Sequence, residues 1–287
     1  MTTEQKQRIQ RLLADYVAGY PSQSHAAATL DGVSEATVVQ VLKNNWQLIS
    51  DAMWRNIGRQ VGWNEKQVEL VETMNLQTLI LYFDLAREHG ETFAIVGPAG
   101  SGKSHTGKWY ARSMRGRHVY YLECAGYWNK KYFLQELLQA MGRDNTGMNV
   151  YEMMKDIVAT LRRQEKPLII LDEVDKLSDP VLQFFITLYN ELKGTCGFVW
   201  TSTDAIQKRI NKGISAKRMG YNEIFSRLGR RFISLPGVSA NEVRQLCLAH
   251  GISSEEDIAM IRNDYEGDLR RIDRHYLKTE AKKKRRA

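Results

Sequence analysis

Gly97-Pro98-Ala99-Gly100-Ser101-Gly102-Lys103-Ser104 has the spacing G-x-x-x-x-G-K-[ST] of a loop that cradles phosphates. The residues on either side fit the fold such a loop requires. Phe93-Ala94-Ile95-Val96 is a short apolar run that reads as a buried strand, and Gly107 to Ser113 can continue as a helix. In a strand–loop–helix unit the glycines let backbone N–H groups approach phosphate, and the helix N-terminus adds partial positive charge. Lys103 is expected to reach the β- and γ-phosphates, and the Ser104 hydroxyl to ligate Mg²⁺. The expected nucleotide contacts are Gly97, Pro98, Ala99, Gly100, Ser101, Gly102, Lys103, Ser104 and His105.

A second motif follows at a suitable distance. Leu168-Ile169-Ile170-Leu171 is an apolar run that ends in Asp172-Glu173, which reads as a buried strand delivering two carboxylates to its C-terminal edge. Asp172 is expected to hold the Mg²⁺ shell and Glu173 to orient and polarise the attacking water, because phosphoryl transfer needs mainly positioning and charge stabilisation. Asp175 reads as a helix-start carboxylate.

Around these motifs strand and helix signals alternate. Strands are expected at Phe93–Val96, His118–Leu122, Leu168–Asp172, Phe198–Ser202 and Phe232–Leu235, and helices at Lys131–Met141, Val150–Arg163 and Pro180–Leu192. That order predicts an α/β P-loop core with a five-stranded, mainly parallel sheet over residues 61–236. The chain is 287 residues long with 43% hydrophobic and 26% charged residues, enough to bury such a core and still carry smaller modules. Helices at Ala240–His250, Ser254–Asn263 and after Gly267 read as a small C-terminal lid over 237–277, followed by a basic tail at 278–287.

Residues 1–60 read as a helical domain. Ile9, Leu12, Leu13 and Val17 recur at helical spacing; Ser22–Leu30 reads as a short helix, Asp31-Gly32-Val33-Ser34 as a turn and Glu35–Lys43 as a second helix capped by Ser34. Short helix, glycine-containing turn and second helix form a helix-turn-helix pattern, with Ser34, Glu35, Thr37 and Gln40 toward the groove-facing side. The alternative reading is a helical protein-contact domain, since residues 1–50 balance four basic against four acidic side chains and gain little from phosphate attraction. Trp46–Gln60 is expected to be helical. Gly58, Gly62 and Asn64 suggest a hinge before a long helix, Val68–His89, ended by Gly90.

The net charge of +8 is unevenly placed. From Lys208 to Arg231 eight basic residues face the single acid Glu223, and Lys278–Ala287 holds six basic residues and Glu280. The remainder is net acidic, so a polyanion would meet two local basic segments rather than a uniformly basic surface. The three cysteines (Cys124, Cys196, Cys247) are widely spaced and form no metal or disulfide pattern. The polar opening Met1–Lys6 lacks a signal-peptide core and no apolar run approaches membrane-spanning length, so a cytoplasmic protein is expected.

The later motifs resemble those of AAA+ ATPases. Phe198-Val199-Trp200-Thr201-Ser202-Thr203 is a strand ending in hydroxyls where the family carries sensor 1; the resemblance implies Thr203 for that role, with Thr201 and Ser202 as alternatives. Phe225-Ser226-Arg227-Leu228-Gly229-Arg230-Arg231-Phe232 is similar to the box bearing the arginine finger, implying Arg227, then Arg230 or Arg231. Gly267-Asp268-Leu269-Arg270-Arg271 resembles sensor 2, with Arg270 reaching the γ-phosphate. Within that class the plan resembles the phage Mu B-type transposition ATPases, as do Val71-Glu72-Thr73, Asp172–Asp175 and Phe225-Ser226-Arg227. The resemblance implies ATP and Mg²⁺ as cofactors and a homo-oligomer, filament or ring, with ATP at subunit interfaces. It implies double-stranded DNA bound with low sequence specificity and delivered to a transposase. Lys130, Lys131, Lys208, Arg209, Lys212, Lys217 and Arg218 are the expected DNA contacts. An AAA+ helicase loader or replication initiator, or a nucleotide-switched DNA-binding regulator, remain alternatives.

Overall fold

The computed structural model describes residues 1–18, 20, 22–63, 71–114 and 116–286, with side chains described through residue 278. The hinge position Asn64 and the expected helix start at Val68 lie outside the described residues, as do the side chains of the basic tail beyond Lys278. The chain divides into two compact units, Met1–Glu69 and Leu70–Ala287.

The first unit contains α1 (Thr3–Ala18), α2 (Gln23–Ala28), α3 (Glu35–Leu42) and α4 (Asp51–Val61). Ile9 and Leu13 from α1, Val38 and Val41 from α3, and Trp54 and Ile57 from α4 form its core, each fully buried. Ser34 caps α3 by accepting from the Thr37 N–H. The expected helix over Trp46–Gln60 begins only at Asp51. The Ser50 side chain accepts from the Met53 N–H, and a cap worth about 1 kcal/mol sets the start there. Trp46 instead lies in the preceding turn, its indole N–H donating to the Val41 carbonyl (3.2 Å) and its ring edge-on to Trp54.

The second unit begins with α5 (Met74–His89), capped by Thr73 and ended by Gly90 in the left-handed region. Then follow β1 (Thr92–Val96), α6 (Lys103–Ser113), β2 (Val119–Glu123), α7 (Lys130–Ala140), α8 (Val150–Arg162) and β3 (Leu168–Asp172). A single 3-10 turn, Val174–Lys176, leads to α9 (Asp179–Leu192), β4 (Gly197–Ser202), α10 (Ala205–Ser215), α11 (Tyr221–Arg227) and β5 (Ile233–Ser234). Of the basic stretch from Lys208 to Arg231, Lys208, Arg209 and Lys212 lie on α10 and Arg227 on α11. The chain ends in α12 (Ala240–Ala249), α13 (Glu255–Asp264) and α14 (Arg270–Arg286).

The five strands form one sheet in the order β2-β3-β4-β1-β5, every pair parallel. Strand alternation distributes the core. Ile169 and Leu171 point to the face covered by α7 to α11, while Leu168 and Ile170 point to the face covered by α5 and α6. β3 and β4 are buried along their whole length, as central strands of a doubly covered parallel sheet must be. Gly197 opens β4 because α5 crosses there: a Cβ would lie 2.3 Å from the Ala86 carbonyl oxygen. Helices α12 to α14 bury a separate small cluster, including Val243, Cys247, Ile258, Ile261 and Ile272. All three cysteines are buried and free. No helix among the described residues is long and apolar enough to cross a membrane.

Candidate nucleotide site

The parallel register brings the motifs together at one sheet edge. Asp172 ends β3 opposite Thr201 of β4, and Val96, which ends β1, pairs with Ser202. The chain turns out of β1 into the glycine loop, where Gly97 N–H donates to the Ser202 carbonyl (3.1 Å). Lys103 opens α6 and is buried, 8% exposed. Its ammonium donates to the carbonyls of Gly97 and Pro98, both at 2.8 Å, and to Ser101 Oγ at 3.1 Å. Burial pulls the Lys103 pKa below the usual lysine range, against the opposing pull of Asp172, Asp175 and Glu173. A buried cation at the mouth of a carboxylate-lined edge is suited to exchange carbonyl partners for phosphate oxygens.

Asp172 is completely buried and fully oriented. Oδ1 accepts from Thr201 Oγ1 (2.5 Å) and the Glu173 N–H (3.0 Å); Oδ2 accepts from the Tyr121 hydroxyl (2.6 Å). Burial and the adjacent Asp172 charge push the Tyr121 pKa far up, so the phenol keeps its proton. Glu173 sits in the left-handed region at φ 56°, ψ 40°, a costly backbone for a residue with a side chain, and its carboxylate is paired with Lys176. Asp175 lies in the first turn of the 3-10 segment, and its carboxylate accepts from Ser202 Oγ (2.5 Å) and Thr203 Oγ1 (3.2 Å). The three hydroxyls at the end of β4 thus divide between two carboxylates: Thr201 on Asp172, Ser202 and Thr203 on Asp175.

The glycine loop is gripped from two further directions. Asn75, buried on α5, donates to the Ser101 carbonyl (3.1 Å) and accepts from the Gly237 N–H (2.9 Å). The Leu269 N–H donates to the Gly100 carbonyl (3.0 Å). Gly100 has φ +74°, and a Cβ there would fall 1.8 Å from Asp268 Oδ1. Asp268 Oδ1 also accepts from the Arg270 N–H (3.0 Å), which sets the start of α14. Arg270 lies near enough to Lys103 to oppose its charge. His105 is exposed on α6, within electrostatic range of Asp273.

Other candidates lie apart from this edge or are already engaged. Arg227, at the end of α11, donates to Glu223 (2.9 Å) and Asn190 (3.2 Å), with its guanidinium over the Tyr189 ring. Arg230 and Arg231 are exposed, and no side-chain partner is found for either among the described residues. Arg209 pairs with Asp179 and donates to the carbonyls of Leu177 (2.6 Å) and Asp175 (3.3 Å), so its charge is used inside the fold. Lys208 pairs with Asp204 (2.6 Å) and Arg218 with Asp179 (3.8 Å), while Lys212 and Lys217 are exposed. Lys130 and Lys131 stand at the start of α7 beside an open groove with Pro180 and Val181, Lys130 over the Phe184 ring. Trp128 is buried whereas Tyr127 is 77% exposed.

Residues 86–208 match the family model described as an AAA domain. The chain carries an AAA-type ATPase domain. No curated protein matches the sequence. Among solved structures the AAA fold extends to a DNA replication initiation factor, with a TM-score of 0.52 at 15% identity over 76% of this chain. This chain spans 65% of the length of that structure. NtrX from Brucella abortus gives a TM-score of 0.50 at 12% identity, covering 86% of this chain and 57% of that one. Domain III of the Thermotoga maritima replication initiation protein DnaA gives 0.45 at 17% identity, covering 71% and 82%. Likeness at such identities speaks for the fold alone.

Tyr121 and Asn75 carry no signal in the sequence, and Asp268 stands there only as part of the sensor 2-like segment. Tyr121 sits in a strand with no distinguishing pattern, and Asn75 and Asp268 reach the loop only through folding. One usable signal was the tripeptide Thr201-Ser202-Thr203 facing two carboxylates one strand away.

Proposed function

We propose that this chain is an ATP-hydrolysing AAA protein that assembles with its own copies and binds DNA under nucleotide control. The observation that carries the reading is the single sheet edge holding Lys103, Ser104, Asp172, Glu173 and the β4 hydroxyls, with Leu269 bonded to the glycine loop. In this reading the nucleotide lies on the loop and Arg270 approaches it from the C-terminal helices, which act as a lid. Ser104 and Asp172 supply hard oxygen donors of the kind Mg²⁺ takes beside phosphates. When bound, Mg²⁺ neutralises charge on the β- and γ-phosphate oxygens. Glu173 orients the attacking water, and Thr201 and Tyr121 keep Asp172 aligned.

Arg227 is proposed as the finger for a neighbouring subunit's nucleotide. Glu223, Asn190 and Tyr189 hold it at a fixed angle while leaving N–H groups available. Preorganised donors of this kind lower the reorganisation needed at the transition state. Arg227→Ala is expected to keep nucleotide affinity while turnover falls by about 10³-fold. Single-site binding and steady-state hydrolysis measured together test this. Normal turnover by Arg227→Ala, with loss in Arg230→Ala or Arg231→Ala, would move the role.

DNA contact is proposed for the exposed lysines Lys212 and Lys217, together with Lys208, Arg218, Lys130 and Lys131. Each subunit offers few phosphate contacts, so oligomerisation must sum them and binding should be steeply salt-dependent. The helix-turn-helix of α2 and α3 would add a second contact, to DNA or to protein. The Mu B-type resemblance supports delivery of DNA to a transposase. The fold likeness to a DNA replication initiation factor favours a second reading, helicase loading or origin initiation. Electron microscopy with random-sequence duplex and ATP or ADP tests the common core. Regular assemblies with ATP alone support it; DNA binding indifferent to nucleotide, or none, overturns it. Capture of a transposase or of a replicative helicase separates the two readings.

A further inference from the structure

Two residues are proposed above to hold the nucleotide's Mg²⁺: Ser104 on α6 and Asp172 at the end of β3. Tyr121 is bonded to the second. Its hydroxyl donates to Asp172 Oδ2 at 2.6 Å, the carboxylate oxygen accepting.

The rest of the surroundings hold this bond in place. Asp172 Oδ1 already accepts two hydrogen bonds, from Thr201 and the Glu173 N–H. A carboxylate oxygen has two acceptor sites, so Oδ2 keeps one lone pair after Tyr121 is counted. The phenol ring is packed against Gly107 on the helix that follows the glycine loop: a Cβ at Gly107 would lie 2.8 Å from Tyr121 Cε2. Ile170 and Tyr110 contribute to the same core cluster. A rigid ring carries a hydroxyl to one point between two elements that the strand order alone would not connect.

We propose that Tyr121 is a positioning residue for the nucleotide-borne Mg²⁺: by donating a hydrogen bond to Asp172 Oδ2, it turns the remaining Asp172 lone pair toward the cation. The proposal rests on the reading that the glycine loop binds a magnesium nucleotide. It assigns Tyr121 the task that groups behind metal ligands commonly perform, fixing orientation and raising ligand basicity.

The test is equilibrium binding of a fluorescent ATP analogue to the full chain across a Mg²⁺ series and in EDTA, for wild type and Tyr121→Phe. The phenylalanine keeps the ring and removes only the oxygen. Expected is unchanged affinity in EDTA and a Mg²⁺ concentration for half-maximal enhancement raised by about 10-fold or more. An identical Mg²⁺ dependence in Tyr121→Phe and wild type, with normal thermal melting, overturns the proposal. Should Tyr121→Phe fail to fold, Tyr121→His, which keeps a donor and an acceptor, is compared with Tyr121→Leu, which keeps neither; equal Mg²⁺ dependence of those two also overturns it. If wild type itself binds the analogue without regard to Mg²⁺, the magnesium-nucleotide reading is what fails.

Discussion

Lys103→Ala is expected to lower ATP affinity by about 100-fold or more, and to take ATP-dependent DNA binding with it. The reasoning starts from the ammonium's position. It is buried at the turn from the glycine loop into α6, with two loop carbonyls and Ser101 Oγ as partners. Hydrogen bonds to charged groups contribute about 1.5–3 kcal/mol each, so a cation shared by two phosphates accounts for two decades of affinity. Alanine removes the ammonium that bridges the Gly97 and Pro98 carbonyls, so the loop itself should also loosen. Titration calorimetry with ATP, beside a melting curve, separates these effects. A native melting curve with ATP affinity within threefold of wild type would remove Lys103 from the site.

Glu173→Gln is expected to do the opposite to the two halves of the cycle: ATP binding stays within a few-fold of wild type while turnover falls by about 10²–10⁴-fold. The substitution is isosteric. It leaves the left-handed backbone at residue 173 no more strained than before, since both side chains meet the same steric limit. It also removes the ion pair with Lys176, but both partners are partly exposed, and such pairs contribute about 0–1 kcal/mol. The loss therefore reports the water-orienting carboxylate and little else. Under the proposed function the ATP-bound, DNA-bound assembly should persist, visible as slow dissociation after ATP is chased. Equal loss of ATP binding and turnover would mean that Glu173 supports the loop rather than the chemistry.

These two residues also mark the boundary between what is readable along the chain and what is not. Lys103 and Glu173 stand in segments whose geometry is local. Eight residues with fixed glycine positions define a phosphate loop, and four apolar residues ending in Asp172-Glu173 define a buried strand with carboxylates at its tip. Caps are equally local, which is why Ser34 and Gly90 end their elements where the sequence places them. The helix expected from Trp46 shows where local reading fails: periodicity permits a helix there, and the Ser50 cap overrides it.

The sequence by itself determined the glycine loop, the carboxylate pair, the five strands and their parallel order of connection, because each depends on spacing within a few residues or on apolar runs long enough to demand burial. Tertiary structure alone decided which side chains complete the site. Register placed Thr201 against Asp172, and packing on Gly107 carried Tyr121 to the same carboxylate. Folding brought Leu269 and Asp268 onto Gly100 from 168 or more residues away, and turned Arg209 inward to Asp179 although its neighbours made it look like part of a basic surface. The physical reason is common to all four: a hydrogen bond or ion pair acts over about 3 Å in space, and nothing in the order of residues records that distance until the sheet and its covering helices have closed.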